Sequence, residues 1–134
     1  MRCVCFTGLV HDMRFTIATL VFDGECGFCT RCVLWLQRLD RRARVETLPH
    51  QALGVRDRFG LSEGDVDRSV WVIRDGRRHA GAAAVALALD TALGTRMFHR
   101  FATAPIVGPA LERAYQFVAE HRGRLAGVTP WCRR

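Results

Sequence analysis

The chain has 134 residues, the length of one domain, and its 49% hydrophobic and 25% charged residues are ordinary for a globular protein. The formal net charge is +7, but all 20 basic residues are arginine and they are scattered along the chain. We attribute this charge to a compositional bias and expect no nucleic-acid partner. Uncharged runs such as residues 80–89 are too short to cross a bilayer, so no membrane partner is expected.

The N-terminal residues predict a compartment and a domain boundary. Residues 1–10 have too short an apolar core and no small-residue cleavage site for a secretory signal, which favours the cytoplasm. Residues 1–12 show no periodicity, so we expect a disordered segment there and a single domain over 13–134. In the cytoplasm, six cysteines indicate redox chemistry or metal binding before they indicate a structural disulfide framework.

One segment combines a strand, a tight turn and a helix around two cysteines. Residues 15–22 are β-branched and apolar, which predicts a strand, and residues 33–39 have apolar side chains at helical spacing. Asp23 and two glycines form the turn between them. Cys26 then falls at or beside the first helical position, and Cys29 lies one turn deeper.

This placement predicts the chemistry of the two thiols. Unpaired N–H groups and the positive end of the helix dipole favour a thiolate, so Cys26 is the predicted nucleophile. Cys29 lies within disulfide distance and is predicted to resolve a mixed disulfide formed at Cys26. Because Glu25 opposes the thiolate and Arg31 supports it, we expect the pKa of Cys26 to be lowered moderately, toward about 7.

The rest of the chain predicts further alternating elements. These are a strand at 44–49, a weak helix within 50–59, a loop and helix start at 61–65, a hairpin of 69–74 and 77–80, an alanine-rich helix at 81–93, and a last helix at about 111–121 after a loop with Pro105 and Pro109. The order is a βαβ unit, a ββα unit and a C-terminal helical extension. That order is typical of the thioredoxin-like α/β fold.

The pattern Asp23-x-x-Cys26-x-x-Cys29 resembles the signature of the DCC family, whose members are predicted thiol-disulfide oxidoreductases. The resemblance extends from about residue 15 to Tyr115-x-x-Val118-Ala119-x-x-Arg122 near the end of the chain. It implies a thioredoxin-like fold and a dithiol-disulfide function. One departure concerns the wider thioredoxin pattern, in which a cis-proline precedes the third core strand; here that position reads Asp67-Arg68-Ser69.

Two hypotheses from different classes follow from the cysteines. The favoured one is an enzyme of the protein-disulfide reductase type that needs no cofactor and acts on a disulfide-containing protein or a small thiol. The alternative is a non-enzymatic module that binds zinc or an iron-sulfur cluster through Cys26, Cys29 and Cys32, whose spacing resembles that of cluster ligands. On a helix, however, Cys26 and Cys32 would lie about 9 Å apart, too far to share one tetrahedral site.

Several other side chains have competing interpretations. Asp23 can serve as a turn and helix-capping residue, or as a catalytic proton acceptor for Cys29. Cys32 and Trp35 are predicted as buried residues, and the histidines as surface residues. Cys132 can either fold back toward the active site or lie in a frayed tail.

Overall fold

The computed structural model describes residues 17–125 and 127–133, so the segment 1–12 that we expect to be disordered lies outside the described residues. The elements are β1 (Ala18–Phe22), α1 (Gly27–Leu39), β2 (Val45–Pro49), α2 (Val55–Phe59), α3 (Glu63–Arg68), β3 (Trp71–Arg74), β4 (Arg77–Ala80), α4 (Gly81–Leu93), α5 (Met97–Ala102) and α6 (Val107–His121), with short 3-10 turns at Arg122–Arg124 and Trp131–Arg133. No helix within these ranges is long and apolar enough to cross a membrane.

The four strands form one mixed sheet in the order β2-β1-β3-β4. β1 is parallel to β2 and antiparallel to β3, and β3 and β4 form an antiparallel hairpin. The hairpin turns at Asp75 and Gly76, whose φ angles of 53° and 75° are those that a two-residue hairpin turn requires. The structure thus confirms an α/β thioredoxin-like fold with a βαβ unit, a ββα unit and a C-terminal helical extension.

The central strand β1 is buried on both faces because its side chains alternate between two clusters. Leu20 and Phe22 pack with residues of α1 and α4 on one face of the sheet. Val21 packs on the opposite face, with Val55 of α2 and Val66 of α3. With both faces covered, the sheet holds the C-terminal end of β1, where the cysteine turn begins, in a fixed position.

The C-terminal extension contains a helix that the sequence did not predict. Asp90 at the end of α4 accepts the backbone N–H groups of Phe98 and His99 at 3.1 and 2.8 Å, and so caps the short helix α5 from outside it. The last helix, α6, begins at Val107 and not near residue 111. Pro109 is compatible with this start because the first turn of a helix needs no backbone donor there.

The predicted burial of Cys32 and Trp35 is wrong. Both are exposed, and 55% of Trp35 remains accessible. The buried residues of α1 are Thr30, Val33 and Leu36. These lie three residues apart and therefore define a narrow stripe that leaves Cys32 and Trp35 beside the sheet-facing side.

Candidate active site

Cys26 occupies the N-cap of α1, where the sequence places it. Its backbone is extended, with φ −90° and ψ 118°, and its Sγ accepts the backbone N–H of Cys29 at 3.2 Å. Its carbonyl oxygen accepts both the N–H and the side-chain hydroxyl of Thr30, at 3.0 and 2.9 Å. The sulfur therefore satisfies one of the unpaired donors of the first turn, as a capping oxygen does in other helices.

These contacts lower the pKa of Cys26 from its ordinary value of 9.0 to about 6. The largest cause is the hydrogen bond from the Cys29 thiol, and the N–H of Cys29 and the cation of Arg122 act in the same direction. Partial burial and the carboxylate of Asp23 oppose them. The direction agrees with the helix N-terminus argument, and the shift is larger than the one expected toward 7.

Cys29 has the opposite acidity. Its pKa is raised because its thiol donates a hydrogen bond to the Cys26 sulfur, because it is buried, and because the negative charge of Cys26 lies nearby. At neutral pH the pair therefore consists of a thiolate at Cys26 and a protonated thiol at Cys29. Cys32, one turn further along α1, also has a raised pKa, since neighbouring groups cover part of its thiol.

Arg122, to which the sequence analysis assigned no role, contacts both the turn residue Asp23 and the thiol of Cys29. Its Nη2 is 3.2 Å from Oδ2 of Asp23, and its Nη1 is 3.8 Å from Sγ of Cys29. Arg122 and Asp23 are thus among the largest charge effects on Cys26, and the sequence had suggested Arg31 and Glu25 instead. The signal that could have identified Arg122 was its place in the family-like C-terminal pattern.

Asp23 organises the turn that follows β1. Its Oδ1 accepts the backbone N–H of Glu25 at 3.0 Å and the side-chain amide of Gln51 at 2.7 Å. The amide oxygen of Gln51 in turn accepts the N–H of Gly24 at 2.9 Å. Asp23 is therefore a turn residue, as predicted, but the predicted capping role is wrong because Cys26 itself caps α1. Its role as proton acceptor stays a prediction.

Two residues after β2 join the site that the sequence did not connect to it. Phe22 at the end of β1 is paired with Pro49 at the end of β2, so the residues that follow β2 lie beside the cysteine turn. Gln51 contacts Asp23 in this way, and Nε2 of His50 lies 3.8 Å from Oδ1 of Asp23. Burial, the largest influence, lowers the pKa of His50.

Residues 127–133, called the tail below, fold back over the cysteine turn. Of the two alternatives for Cys132, the structure therefore supports the one in which it returns toward the active site. Val128 donates its N–H to the carbonyl of Gly27 at 3.2 Å, and Cys132 donates its N–H to the carbonyl of Gly24 at 2.9 Å. Between them, the N–H of Trp131 binds Oγ1 of Thr30 at 3.0 Å. The C-terminal extension thus forms one wall of the active site.

The loop before β3 is bonded to α6 and to Arg122, the residue that follows α6. The described residues contain no cis peptide bond, in agreement with the absence of proline at 67–69. Val70 donates its N–H to the hydroxyl of Tyr115 at 2.8 Å, and Arg122 contacts the carbonyl of Asp67 at 3.5 Å. Backbone groups of this loop are therefore engaged by α6 and the residue that follows it.

The part of the chain that the structure describes contains no set of side chains that would support the metal-binding alternative. Cys26, Cys29 and Cys32 are free thiols. Within residues 17–125 and 127–133, no three histidine, cysteine, aspartate or glutamate side chains are grouped so that they could hold a metal ion. The helical spacing separates the thiols along α1, as expected from the rise of a helix.

A thioredoxin-like sheet that presents two cysteines of unequal acidity at a helix N-terminus is an arrangement typical of redox-active thiol-disulfide sites. The chain matches the DCC1-like thiol-disulfide oxidoreductase family over residues 20–128 and belongs to that family. A redox role in thiol-disulfide chemistry follows from this membership. No curated protein and no solved structure matches the chain.

Proposed function

We propose that this protein reduces or exchanges disulfides, with Cys26 as the nucleophile and Cys29 as the resolving thiol. The observation that carries the proposal is the N-cap position of Cys26, where its sulfur accepts hydrogen bonds from the Cys29 thiol and the Cys29 backbone N–H, which together lower its pKa to about 6. A thiolate is the nucleophile in disulfide exchange, and Cys26 is in that form at neutral pH. The substrates are a disulfide-containing protein or a disulfide of a small thiol.

The first step forms a mixed disulfide. The Cys26 thiolate attacks one sulfur of the substrate disulfide, a new bond forms between that sulfur and Cys26 Sγ, and the other substrate sulfur leaves as a thiolate that takes a proton. The cleft around Cys26 is open to solvent and is lined by residues of the turn, α6 and the tail. A leaving thiolate can therefore escape without passing through the core.

The second step follows from the change of charge at Cys26. In the mixed disulfide Cys26 carries no negative charge, so two of the causes that raise the pKa of Cys29 are removed. Arg122, 3.8 Å from the Cys29 sulfur, still favours the thiolate. Cys29 loses its proton, with Asp23 as the proposed acceptor, and attacks Cys26 Sγ. The bound substrate sulfur then leaves as a thiol.

The balance of these two steps is one substrate disulfide reduced to two thiols and one enzyme dithiol oxidised to a Cys26–Cys29 disulfide. A cellular thiol or protein dithiol must return the enzyme to its reduced form. The cytoplasm, where such thiols are abundant, is the proposed compartment.

The roles of the two cysteines can be separated by trapping. We expect Cys29→Ser to accumulate a mixed disulfide with a model disulfide substrate, because Cys26 still attacks and nothing resolves the product. Cys26→Ser should form no such adduct and should show no reductase activity. Mass spectrometry of the intact protein and of its peptides measures the adduct and its site.

Cys32→Ser is the matched control, because it removes a thiol from the same helix that has no part in either step. It should retain turnover and form no stable adduct. Labelling of Cys29 ahead of Cys26 by an alkylating reagent at neutral pH would contradict the assigned roles. Stoichiometric zinc or iron in protein purified without chelator would support the metal alternative instead.

A further inference from the structure

An apolar cavity of about 310 Å³ lies between α1, α4 and α6, directly beside the dithiol. Apolar side chains from the three helices form its walls, among them Leu36, Leu39, Val85, Leu89, Val118 and Ala119. Cys29 also lines it, at the end nearest the cysteine turn. This volume is in the range of small-molecule sites, which are mostly apolar with a few polar groups at one end.

The cavity adjoins the cleft that contains Cys26. Phe28, Ala119 and Arg122 line both spaces. A molecule with a sulfur atom at Cys26 can therefore extend past these three side chains into the apolar cavity.

Charge and length restrict what the cavity can accept. The charged side chains in its lining are Asp23 and Arg122, which neutralise each other across 3.2 Å. Because these two charges are paired with each other, a charged tail would lose its hydration in the cavity without gaining an unpaired partner in the lining. Along α1, the lining runs from Phe28 to Leu39, about 16 Å at roughly 1.5 Å per residue.

The neighbouring loop argues against an extended peptide as the occupant. A peptide that binds beside a sheet does so through main-chain hydrogen bonds. Here the N–H of Val70 already binds the Tyr115 hydroxyl at 2.8 Å, and the Asp67 carbonyl is contacted by Arg122. Two main-chain groups of this loop are thus already bonded within the protein, while the cavity offers mainly apolar contact.

We propose that the cavity binds the uncharged, elongated apolar tail of the disulfide substrate, so that the protein prefers lipophilic small-molecule disulfides. This inference rests on the proposed function, since it names the substrate class of the same site. Cys26 attacks the sulfur that carries the tail, the second sulfur leaves as a thiol, and Cys29 then expels the tail thiol as the Cys26–Cys29 disulfide forms. One substrate disulfide is reduced and one protein dithiol is oxidised.

Ethyl pyridyl disulfide and octyl pyridyl disulfide test this preference, because each releases the chromophore pyridinethione when the alkyl sulfur is attacked. Reduced protein is mixed with each probe below its micelle-forming concentration, and the second-order rate of release is measured. The same two rates measured with dithiothreitol, which has no binding cavity, give the octyl-to-ethyl ratio that follows from the chemistry of the probes alone. We expect the octyl-to-ethyl ratio for the protein to exceed the dithiothreitol ratio on the order of a hundredfold, because six more methylenes become buried.

Variants at the cavity wall then test whether the preference for the octyl probe depends on the apolar cavity. Val118→Trp, which fills the cavity from α6, should lower the octyl-to-ethyl ratio at least about tenfold. Val85→Trp fills it from α4 and serves the same purpose if the first variant does not fold. Phe117→Trp is the matched control, because it enlarges the neighbouring exposed residue of α6, which does not line the cavity.

The two proposals fail in different ways. An octyl-to-ethyl ratio equal to that of dithiothreitol overturns the apolar-tail proposal. The cavity would then be covered by another segment or by a second copy of the chain and would not be open to the substrate. Equal loss of the ratio in Val118→Trp and Phe117→Trp also overturns it. Absence of pyridinethione release with both probes overturns the proposed function itself.

Discussion

The guanidinium of Arg122 lies 3.2 Å from the carboxylate of Asp23, so the residue that follows α6 is joined to the turn that follows β1. Both side chains are largely buried, at 29% and 18% exposed, and both act on the Cys26 thiolate with opposite signs. This ion pair couples the C-terminal extension to the acidity of the dithiol.

The first prediction concerns the reactivity of Cys26 as a function of pH. In the wild-type protein, iodoacetamide labelling of Cys26 should rise to half its maximum near pH 6, where its lowered pKa lies. Arg122→Gln should raise this midpoint and Asp23→Asn should lower it, each by roughly half a unit to one unit. Peptide mass spectrometry at a series of pH values measures the site and the rate.

Arg124→Gln is the control for this experiment, because it removes an exposed arginine from the 3-10 turn next to Arg122. Its midpoint should match the wild-type value. Identical midpoints in Arg122→Gln, Asp23→Asn and the wild type would show that the ion pair does not govern the thiolate.

The second prediction concerns stability in the reduced state. The pKa of Cys26 is about 6 in the folded protein and 9.0 in an unperturbed thiol, so the unfolded chain binds more protons between these values. The free energy of unfolding should therefore rise with pH from about 6 to 9, and this contribution should be lost as the pH falls through 6. Urea unfolding of the reduced wild type and of Cys26→Ser should diverge across that window, and parallel curves would contradict the shift.

The third prediction concerns the close approach of the tail to α1. A Cβ atom at Gly27 would lie 2.5 Å from the carbonyl oxygen of Val128. Gly27→Ala should therefore displace the tail, break the Val128 hydrogen bond to Gly27, and lower the free energy of unfolding by about 1–3 kcal/mol. Urea denaturation measures the change.

Gly64→Ala is the matched glycine substitution for this test. The nearest atom to its added Cβ would be the Ser62 hydroxyl at 3.9 Å, and Gly64 lies in α3. Alanine is the better helix former, so this variant should be neutral or more stable by up to about 1 kcal/mol. A similar loss of stability in both variants would argue against a specific contact between the tail and Gly27.

The fourth prediction concerns Thr30, which is fully buried beneath the dithiol. Its hydroxyl donates to the Cys26 carbonyl at 2.9 Å and accepts the N–H of Trp131 at 3.0 Å. Thr30→Val keeps the shape of the side chain but leaves the Trp131 N–H without this acceptor, so we expect a loss of about 1–3 kcal/mol in the free energy of unfolding. Thr103→Val, which removes an exposed hydroxyl bonded to the His99 carbonyl, should change it much less.

Local patterns in the sequence predicted where the two cysteines of the candidate site lie. A strand, a glycine turn and a helix in immediate succession place Cys26 at the N-cap, and the dipole and free N–H groups of that helix end act over only a few residues. The hairpin at Asp75-Gly76 is equally local, because a two-residue turn with positive φ determines its own geometry. The N-cap position of Cys26 and the thioredoxin-like order of elements could therefore be predicted from the sequence alone.

The surroundings of the dithiol depended on contacts between residues far apart in the chain. Gln51 reaches Asp23 because β2 is parallel to β1, and Arg122 reaches both Asp23 and Cys29 because of where α6 ends. Which face of α1 is buried also depends on its partners, and the buried stripe is narrow enough to leave Trp35 exposed. Helical periodicity shows that a face is apolar but not what packs against it, so the ion pair, the returning tail and the apolar cavity required the tertiary structure.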